Sequence, residues 1–520
     1  MAQSTAGTNI VNNANSANRQ IAIELRIAWG RDANDWPTNW ATQSTDETAR
    51  LLNVSWDRRL EIDSAQGRSA GPLAQMRLAL DNRDQRFSPY NEAGSLHANL
   101  NGQAYTAGNI MVRFPKLWMT PIRLRMGFVD ANAGAQMLTV FTGAIDEVQE
   151  GYGIDGAQVT LTCLDRGAAL LSKNASTSIK TATLASEWIR FLVSTLGNVP
   201  TGQTLDRAFF TLPYAWLDDE PLWNEVQQVA QADSGFAYFD ELGVFYYRNA
   251  AWWATAAHSL TSQATISTRF QTFSPEYSYR NVATGVRVEY QPREPGGEQV
   301  IWRSDKTIVV PPNGETIEAR FQYPAFFVLT PAKPGDWLPI SSGGLDLSDK
   351  VQLDIVDFAA QRATLQFTST ANQTAFIPKM QLRGPALVGG PQEQIDKDAS
   401  AALVPENRKT ISGNVYIQTR AQADMVASIA AQRMAYPRLT HQFRGVPALP
   451  WLQLGDRITI DVPEPMTADR YGIVTALAFS WQPKAGFLMD IDAVDVGGLF
   501  EYDDYHVLGT DDYGQGTVFL

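Results

Sequence analysis

Cysteine and histidine are scarce in this chain of 520 residues. The one cysteine, Cys163, has no partner for an internal disulfide and cannot complete a thiolate metal cage. The four histidines, His97, His258, His441 and His506, lack the close spacing that a zinc motif requires. We therefore expect no metal site and no cofactor.

Basic charge is also in deficit, because 42 Lys and Arg stand against 55 Asp and Glu, for a net charge of −13. Such a balance disfavours a protein that grips nucleic acid by its phosphates, so DNA is expected only in transit. The N-terminus shows no basic stretch followed by an apolar one, and no apolar run reaches the ~18 residues of a membrane span. Neither a signal peptide nor stable membrane insertion is expected.

Catalytic signatures are missing as well. The chain has no Gly-x-Ser-x-Gly elbow and no phosphate-binding glycine loop ending in Lys-Ser or Lys-Thr. Acidic pairs that resemble the two carboxylates of a glycosidase are present, but adjacent carboxylates in polar turns are usually solvated. The pairs are Asp218-Asp219, Asp503-Asp504 and Asp511-Asp512. We expect no catalytic residues, with a cell-wall hydrolase as the weakest alternative.

Most of the sequence alternates between apolar and polar residues, with Gly, Pro, Asn and Asp at the breaks, which is typical of strands. Helical periodicity appears from Leu184 to Leu196, after Pro221, and from about Ala421 to Tyr436. A hairpin is predicted from Phe236 to Arg248, turning at Glu241-Leu242-Gly243. The fold is therefore mainly β with a small α+β domain.

Two distant stretches read alike, which indicates an internal repeat. The first holds Pro121 to Met126, Thr142 to Ile145 and Gln158 to Asp165. The second holds Gly455 to Ile460, Tyr471 to Val474 and Phe487 to Asp495. We interpret them as two copies of one small β-barrel, with chance likeness between strands as the alternative.

The predicted organisation divides the chain into six parts. They are a polar arm (1–18), a first β-barrel (19–165), an α+β domain (166–276), a second β-barrel (277–304 with 401–495), a β-rich, sandwich-like insertion (305–400) and a C-terminal tail (496–520). The arm is too polar to fold alone. We expect it to lie on another surface, either a neighbouring subunit or its own chain.

The segment Leu80-Asp81-Asn82-Arg83-Asp84-Gln85-Arg86-Phe87-Ser88-Pro89-Tyr90-Asn91, followed by Gly94, resembles one in the minor tail and baseplate hub proteins of long-tailed phages. The resemblance continues, in order along the chain, at Phe141 to Asp146, Gly235 to Gly243 and Leu452 to Ile458. It implies a virion protein of the tail tip, with two tail-tube-like β-barrels per chain in a trimeric, pseudo-sixfold ring. The implied partners are the tail tube or distal tail protein, the tape-measure protein, and fibre or tip proteins.

Charged residues in these segments are the interface candidates: Asp81, Arg83, Asp84, Arg86, Asp456 and Arg457. The loop charges alternate in sign, so they suit ion pairs either within the loop or with a neighbouring subunit, and a solvated loop is the alternative. A glycan-binding tip module is a second reading of function, drawn from Trp252-Trp253 and Phe326-Phe327, which suit stacking on sugars. Such aromatic pairs more often lie in cores or interfaces.

Overall fold

The computed structural model describes residues 20–29, 31–32, 35–60, 73–88, 91, 104–107, 110–113, 119–130, 134–153, 156–199, 202–277, 282–399, 406–435, 439–462 and 470–495. The predicted polar arm and C-terminal tail lie outside these residues, as do the acidic pairs at 503–504 and 511–512.

The first β region alternates as the sequence predicted: in β3, Val54 and Trp56 are buried while Asn53 and Ser55 are exposed. Its strands are β1 (Gln20–Ile27), β2 (Thr45–Asp46), β3 (Leu51–Arg59), β4 (Gln75–Asp81), β5 (Ala104–Ala107), β6 (Ile110–Arg113), β7 (Thr120–Asp130), β8 (Gly134–Gly153) and β9 (Gly156–Asp165), with the short helix α1 (Trp40–Gln43) after β1.

The α+β region follows, and both of its predicted helices are confirmed. Its helices are α2 (Ala168–Leu171), α3 (Ala185–Arg190, continued by a π-helical turn, Phe191–Leu196), α4 (Leu222–Ala232), α5 (Trp252–Thr255) and α6 (Ala257–Leu260). Its strands are β10 (Asn174–Ser176), β11 (Lys180–Leu184), β12 (Gln203–Leu205), β13 (Thr211–Ala215), β14 (Asp218–Pro221), β15 (Phe236–Phe239), β16 (Phe245–Arg248), β17 (Ser262–Ile266) and β18 (Thr272–Tyr277). The predicted hairpin is β15–β16.

The remaining elements complete a mainly β, multidomain protein, as predicted. The strands are β19 (Gly285–Tyr290), β20 (Arg293–Arg303), β21 (Ile308–Val310), β22 (Glu315–Arg320), β23 (Val351–Ala359), β24 (Arg362–Ser369), β25 (Ala375–Ile377), β26 (Gln381–Gly389), β27 (Glu393–Asp398), β28 (Arg408–Ile411), β29 (Leu439–Pro447), β30 (Arg457–Ile460), β31 (Arg470–Gln482) and β32 (Gly486–Asp495). The third predicted helix is α7 (Arg420–Met434).

One large sheet joins the two ends of the chain. Its strand order is β2-β1-β7-β8-β9-β4-β3-β31-β32-β29-β18, with β30 beside β31 and β17 beside β30. Over the described residues this order is an open path, in which no pairing closes either half on itself. The two halves are instead linked by the pairing of β3 with β31.

Three main cores divide the described residues. The first lies on the large sheet and takes side chains from both ends of the chain. The second contains the helices α3, α4 and α7, and the third belongs to the insertion, from Ile301 to Ala386. Cys163 is buried in the first core, and burial raises the pKa of its thiol.

The packing differs from the predicted division in two respects. The strands β17 and β18, from the range predicted for the α+β domain, pair with β30 and β29 in the large sheet. The strands β19 and β28 and the helix α7 were assigned to the second β-barrel, yet they pack in the second core with the α+β elements. The reason is that β19 lies between β27 and β28 and is covered by α7, so that Val286 and Val288 face helices. Alternation gives the period of a strand but not its partner. Among the described residues, no helix is both long and apolar enough to cross a bilayer.

Candidate assembly interface

The internal repeat is present in the backbone pairing. In the first copy, β7, β8 and β9 pair consecutively and antiparallel, and in the second copy β30, β31 and β32 do the same. One cross-strand row has the same residue types in both copies. The two rows are Ile122-Gly143-Asp165 and Ile458-Gly472-Asp495.

Close packing explains the glycine in each row. A Cβ on Gly143 would lie 2.2 Å from the carbonyl oxygen of Leu164, and one on Gly472 would lie 2.9 Å from the Cβ of Ala493. Both contacts are shorter than real Cβ atoms show, so each copy has a close approach at this position that favours glycine.

The same bulge interrupts both copies. In the first, the pairing of β8 with β9 shifts just after Ile145, and in the second the pairing of β31 with β32 shifts just after Val474. Each of these residues is the second one beyond the row glycine. A bulge bends and twists its strand. Beyond the bulge, β8 therefore no longer pairs with β7, and β31 no longer pairs with β30. The second half of each long strand thus has an edge on that side that another strand could pair with.

The match extends two strands further. Next to β9 lie β4 and then β3, and next to β32 lie β29 and then β18, all antiparallel. Along one row, Cys163 pairs with Met76 and Met76 with Trp56. The equivalent row pairs Ala493 with His441 and His441 with Pro275. Thus β18 is the counterpart of β3.

The edge beyond the second-copy bulge is occupied within the chain. Residues 54–59 of β3 pair antiparallel with residues 476–481 of β31, and we call this pairing the inner seam. The Trp56 ring stacks on Phe479 at 4.7 Å between centroids, and Phe487 lies 5.9 Å from Trp56. One face of the inner seam is buried in the first core, which makes it a main contact between the two β regions.

The equivalent places, on β8 of the first copy and on β18 of the second copy, are open. Within the described part of the chain, no strand lies on the free side of β8 over 147–151, or on the outer side of β18. We call these two places the open edges. Tyr277, at the end of β18, is 64% exposed, and Tyr152, near the end of β8, is 65% exposed and donates a hydrogen bond to Glu150 at 2.8 Å.

The four predicted interface residues of the loop after β4 are paired within the chain. Arg83 Nε donates to Asp81 at 2.9 Å, and Arg86 Nη2 donates to Glu47 at 2.8 Å. Asp84 accepts two hydrogen bonds from Arg50, at 2.8 and 2.6 Å. Hydrogen bonds from these guanidinium groups hold the pKa values of Asp81 and Asp84 below their ordinary value, the latter against a small effect of burial. The ion pairs order the loop against the first β region.

The other two predicted residues lie at the start of β30. Asp456 is buried, accepts a hydrogen bond from the Gln453 amide at 2.8 Å, and lies 2.9 Å from His258 Nδ1. Burial raises the pKa of its carboxyl. Arg457 lies over the Tyr471 ring at 4.0 Å and donates to the Leu260 carbonyl at 3.2 Å. The structure therefore places Asp456 inside the chain rather than on its surface.

A buried polar junction was not predicted. Arg58, on β3, donates to Glu241 at 2.7 Å and to the Phe239 carbonyl at 2.9 Å, and Gln453 also donates to Glu241. Burial, together with the charge of Glu241, raises the pKa of Asp240 to about 6. The junction ties the hairpin β15–β16 to both β regions. Its one sequence signal was the Gly235 to Gly243 segment, which the sequence marked as a hairpin and as part of the family resemblance.

The residues that suggested a hydrolase or a glycan-binding module are dispersed over the fold. Asp218 and Asp219 lie on β14, a short strand paired with β10, and Trp252 is buried against Tyr238 and His258. Phe326 packs edge-on against Tyr214, whereas Phe327 is exposed. No group of three or more metal-ligating side chains comes together in the described ranges.

No protein-family model matches the chain, and no curated protein does. Among solved structures, a tail protein from Neisseria meningitidis is similar, with a TM-score of 0.48 and 11% identity over 92% of this chain and 97% of that one. The 43 kDa tail protein of prophage MuSo2 from Shewanella oneidensis has a TM-score of 0.46 and 11% identity over 92% and 99%. A prophage tail protein from Listeria monocytogenes has a TM-score of 0.40 and 8% identity over 91% and 94%. All three of these similar structures are described as tail proteins.

Proposed function

We propose that this chain is a structural protein of a phage-type tail tip, a baseplate hub whose three copies form a ring that closes the tail tube. The observation that carries the proposal is the repeated five-strand unit, which has the same register, row glycine and bulge in both copies. A sixfold tube presents six equivalent positions, and a chain with two like units fills them with three copies.

The insertion and the net charge are also consistent with a ring of this kind. The insertion has a core of its own, from Ile301 to Ala386, and an excursion of that size would block a narrow bore, so it projects outward. The net charge of −13 suits a ring through which DNA passes without being held. The ring would adapt the tube to the distal tail protein, the tape-measure protein, and fibre or tip proteins. We assign it no enzymatic step.

Native mass spectrometry of the purified chain tests the proposal directly. We expect a homotrimer, and image analysis of assembled particles should show three chains in a ring of pseudo-sixfold symmetry. A monomer, a dimer or a hexamer would count against the hub.

One exposed aromatic in the insertion, Phe327, keeps the glycan-binding reading open as a second candidate. A glycan array with the wild-type chain and Phe327→Ala tests it. Binding that is lost in the variant would support a receptor-binding role for the insertion, and no binding by the wild-type chain would remove that role.

A further inference from the structure

We propose that the two open edges are the two sides of one contact between copies: β8 of one copy pairs antiparallel with β18 of the next. The occupant of each open edge is thus a second copy of this chain. This inference rests on the proposed function, since the ring supplies the neighbouring copy. To that function it adds which strands pair between copies, in which direction and in which register.

The inner seam supplies the template. There, Trp56 of β3 pairs with Phe479 of β31. The counterpart of Trp56 is Pro275, because both lie at the end of the equivalent three-strand rows. The counterpart of Phe479 is Glu150, which follows Gly143 at the spacing at which Phe479 follows Gly472. Transferring the pairing places Glu150 of one copy opposite Pro275 of the next.

The rest of the register follows from antiparallel geometry. We call the resulting contact the outer seam. Its pairs are Val148 with Tyr277, Gln149 with Glu276, Glu150 with Pro275, Gly151 with Ser274 and Tyr152 with Phe273.

The side chains suit this register. It places the exposed Tyr277 ring beside Val148 and sets Tyr152 opposite Phe273, and cross-strand pairs of aromatic and β-branched residues stabilise sheets. No two like charges stand opposite each other, because Glu150 meets Pro275 and Glu276 meets Gln149. Pro275 lacks an N–H, so β18 offers one ladder donor fewer than β3. The outer seam is therefore weaker than the inner seam and suits a contact that forms on assembly.

Ring closure follows from the same arrangement. Each copy has one open edge on β8 and a different one on β18, so the contact joins unlike surfaces and passes from copy to copy. If inner and outer seams repeat the same rotation, they alternate around the axis, and a sixfold arrangement closes after three chains. Pairing would also cover strand edges that otherwise invite uncontrolled aggregation.

Disulfide cross-linking tests the register. The variant Gly151→Cys with Ser274→Cys places two thiols opposite each other across the outer seam. A Cβ on Gly151 has room, since its nearest neighbour is the Gln158 carbonyl oxygen at 4.0 Å, and Ser274 is exposed. The native thiol, Cys163, is buried and does not compete. We expect covalently closed trimers on non-reducing denaturing electrophoresis.

Two matched variants control for geometry. Ser55→Cys with Ser480→Cys is the equivalent pair in the inner seam, so it should form a disulfide within one chain and leave the mass monomeric. Gln149→Cys with Ser274→Cys is displaced by one diagonal, which separates the Cα atoms beyond the ~7 Å that a disulfide spans. Its cross-linked fraction should be at least about tenfold lower than that of the Gly151 variant.

The outcomes separate the two proposals. A trimer in native mass spectrometry that gives no cross-link, or equal cross-linking of the displaced pair, overturns the outer seam and leaves the hub standing. A chain that is monomeric at all concentrations overturns both. Covalent trimers from the in-register pair, with few from the displaced pair, support both.

Discussion

In the second copy, the part of β31 beyond its bulge presents Leu477 and Phe479 to β3, and both are buried. The same positions of β8 in the first copy hold Val148 and Glu150. The strands β8 and β31 thus have the same backbone pairing pattern but different neighbours beyond the bulge. The difference shows that the two copies share the register of their strands but not the side chains along this edge, which face a buried core in one copy and an open edge in the other.

The largest expected effect comes from the inner seam. Replacing Trp56 by Ala removes a stacked, buried indole, which costs roughly 3 to 5 kcal/mol of unfolding free energy for an aromatic of this size. The matched control is Pro275→Ala at the equivalent position of β18, which is exposed and should change the value by less than about 0.5 kcal/mol. Urea unfolding at one protein concentration, below that of half-assembly so that Pro275 stays outside the outer seam, measures both. Equal losses of unfolding free energy in the two variants would mean that Trp56 and Pro275 lie in similar environments.

A second expected effect concerns the two row aspartates. Asp165 is buried and accepts hydrogen bonds from the amides of Ala74 and Gly167, whereas its counterpart Asp495 faces His441 and Arg470. Burial raises the pKa of Asp165 from 3.8 to about 6. The folded state therefore binds this proton more tightly than the unfolded chain, and stability is lost as the pH rises through about 6.

Between pH 5 and 8 the loss attributable to Asp165 should be about 1 to 2 kcal/mol. Asp165→Asn removes the titrating group. The unfolding free energy of this variant should be lower at every pH, since the amide turns a donor toward a backbone N–H. Its decrease between pH 5 and 8 should be smaller than that of the wild-type chain by about the same 1 to 2 kcal/mol. Asp81→Asn is the control, because the pKa of Asp81 is shifted downward and its titration lies below this window. An unchanged slope in Asp165→Asn would assign the titration elsewhere.

The third effect is on assembly rather than on folding. Tyr277→Asp puts a charge into the outer seam beside Val148, and we expect the concentration for half-assembly of the trimer to rise at least about tenfold, or ~1.4 kcal/mol. Tyr323→Asp, at an exposed tyrosine of the insertion, is the matched control and should leave that concentration unchanged. Sedimentation across a concentration series distinguishes the two. Equal behaviour of both variants would place the copy contact away from β18.

Local patterns were enough to predict the mainly β fold, the three longer helices and the repeat. Alternation, helix-terminating Gly and Pro residues, and turn residues all act within a few positions, as in the hairpin that turns at Gly243, where φ is +75°. They did not predict the inner seam, because β3 and β31 are separated by most of the chain. The same limit explains why the packing of β19 with the α+β elements was not predicted.

The surroundings of the predicted interface residues could not be read from the sequence, for a related reason. Charged residues in loops suggested contacts with another subunit, yet Asp456 is buried against His258, and Arg58 finds Glu241 far away in sequence. Burial of a charge depends on which distant segments come together, which composition does not show. The open edges were missed because an exposed strand end looks the same in sequence as a covered one.

The smallest expected effect lies in the polar loop that follows β4, where the first copy has a long excursion and the second has only the short connection from β29 to β30. Arg83 is largely exposed and pairs with Asp81 of its own loop. Water screens an exposed pair of this kind, so Arg83→Ala should leave both the unfolding free energy and the half-assembly concentration nearly unchanged. The comparison with Tyr277→Asp then decides between the loop and the strand edges as the contact between copies. A tenfold loss of assembly in Arg83→Ala, with the fold intact, would move the contact to the loop, since the ion pair that now closes within the chain would have to open toward the neighbouring copy.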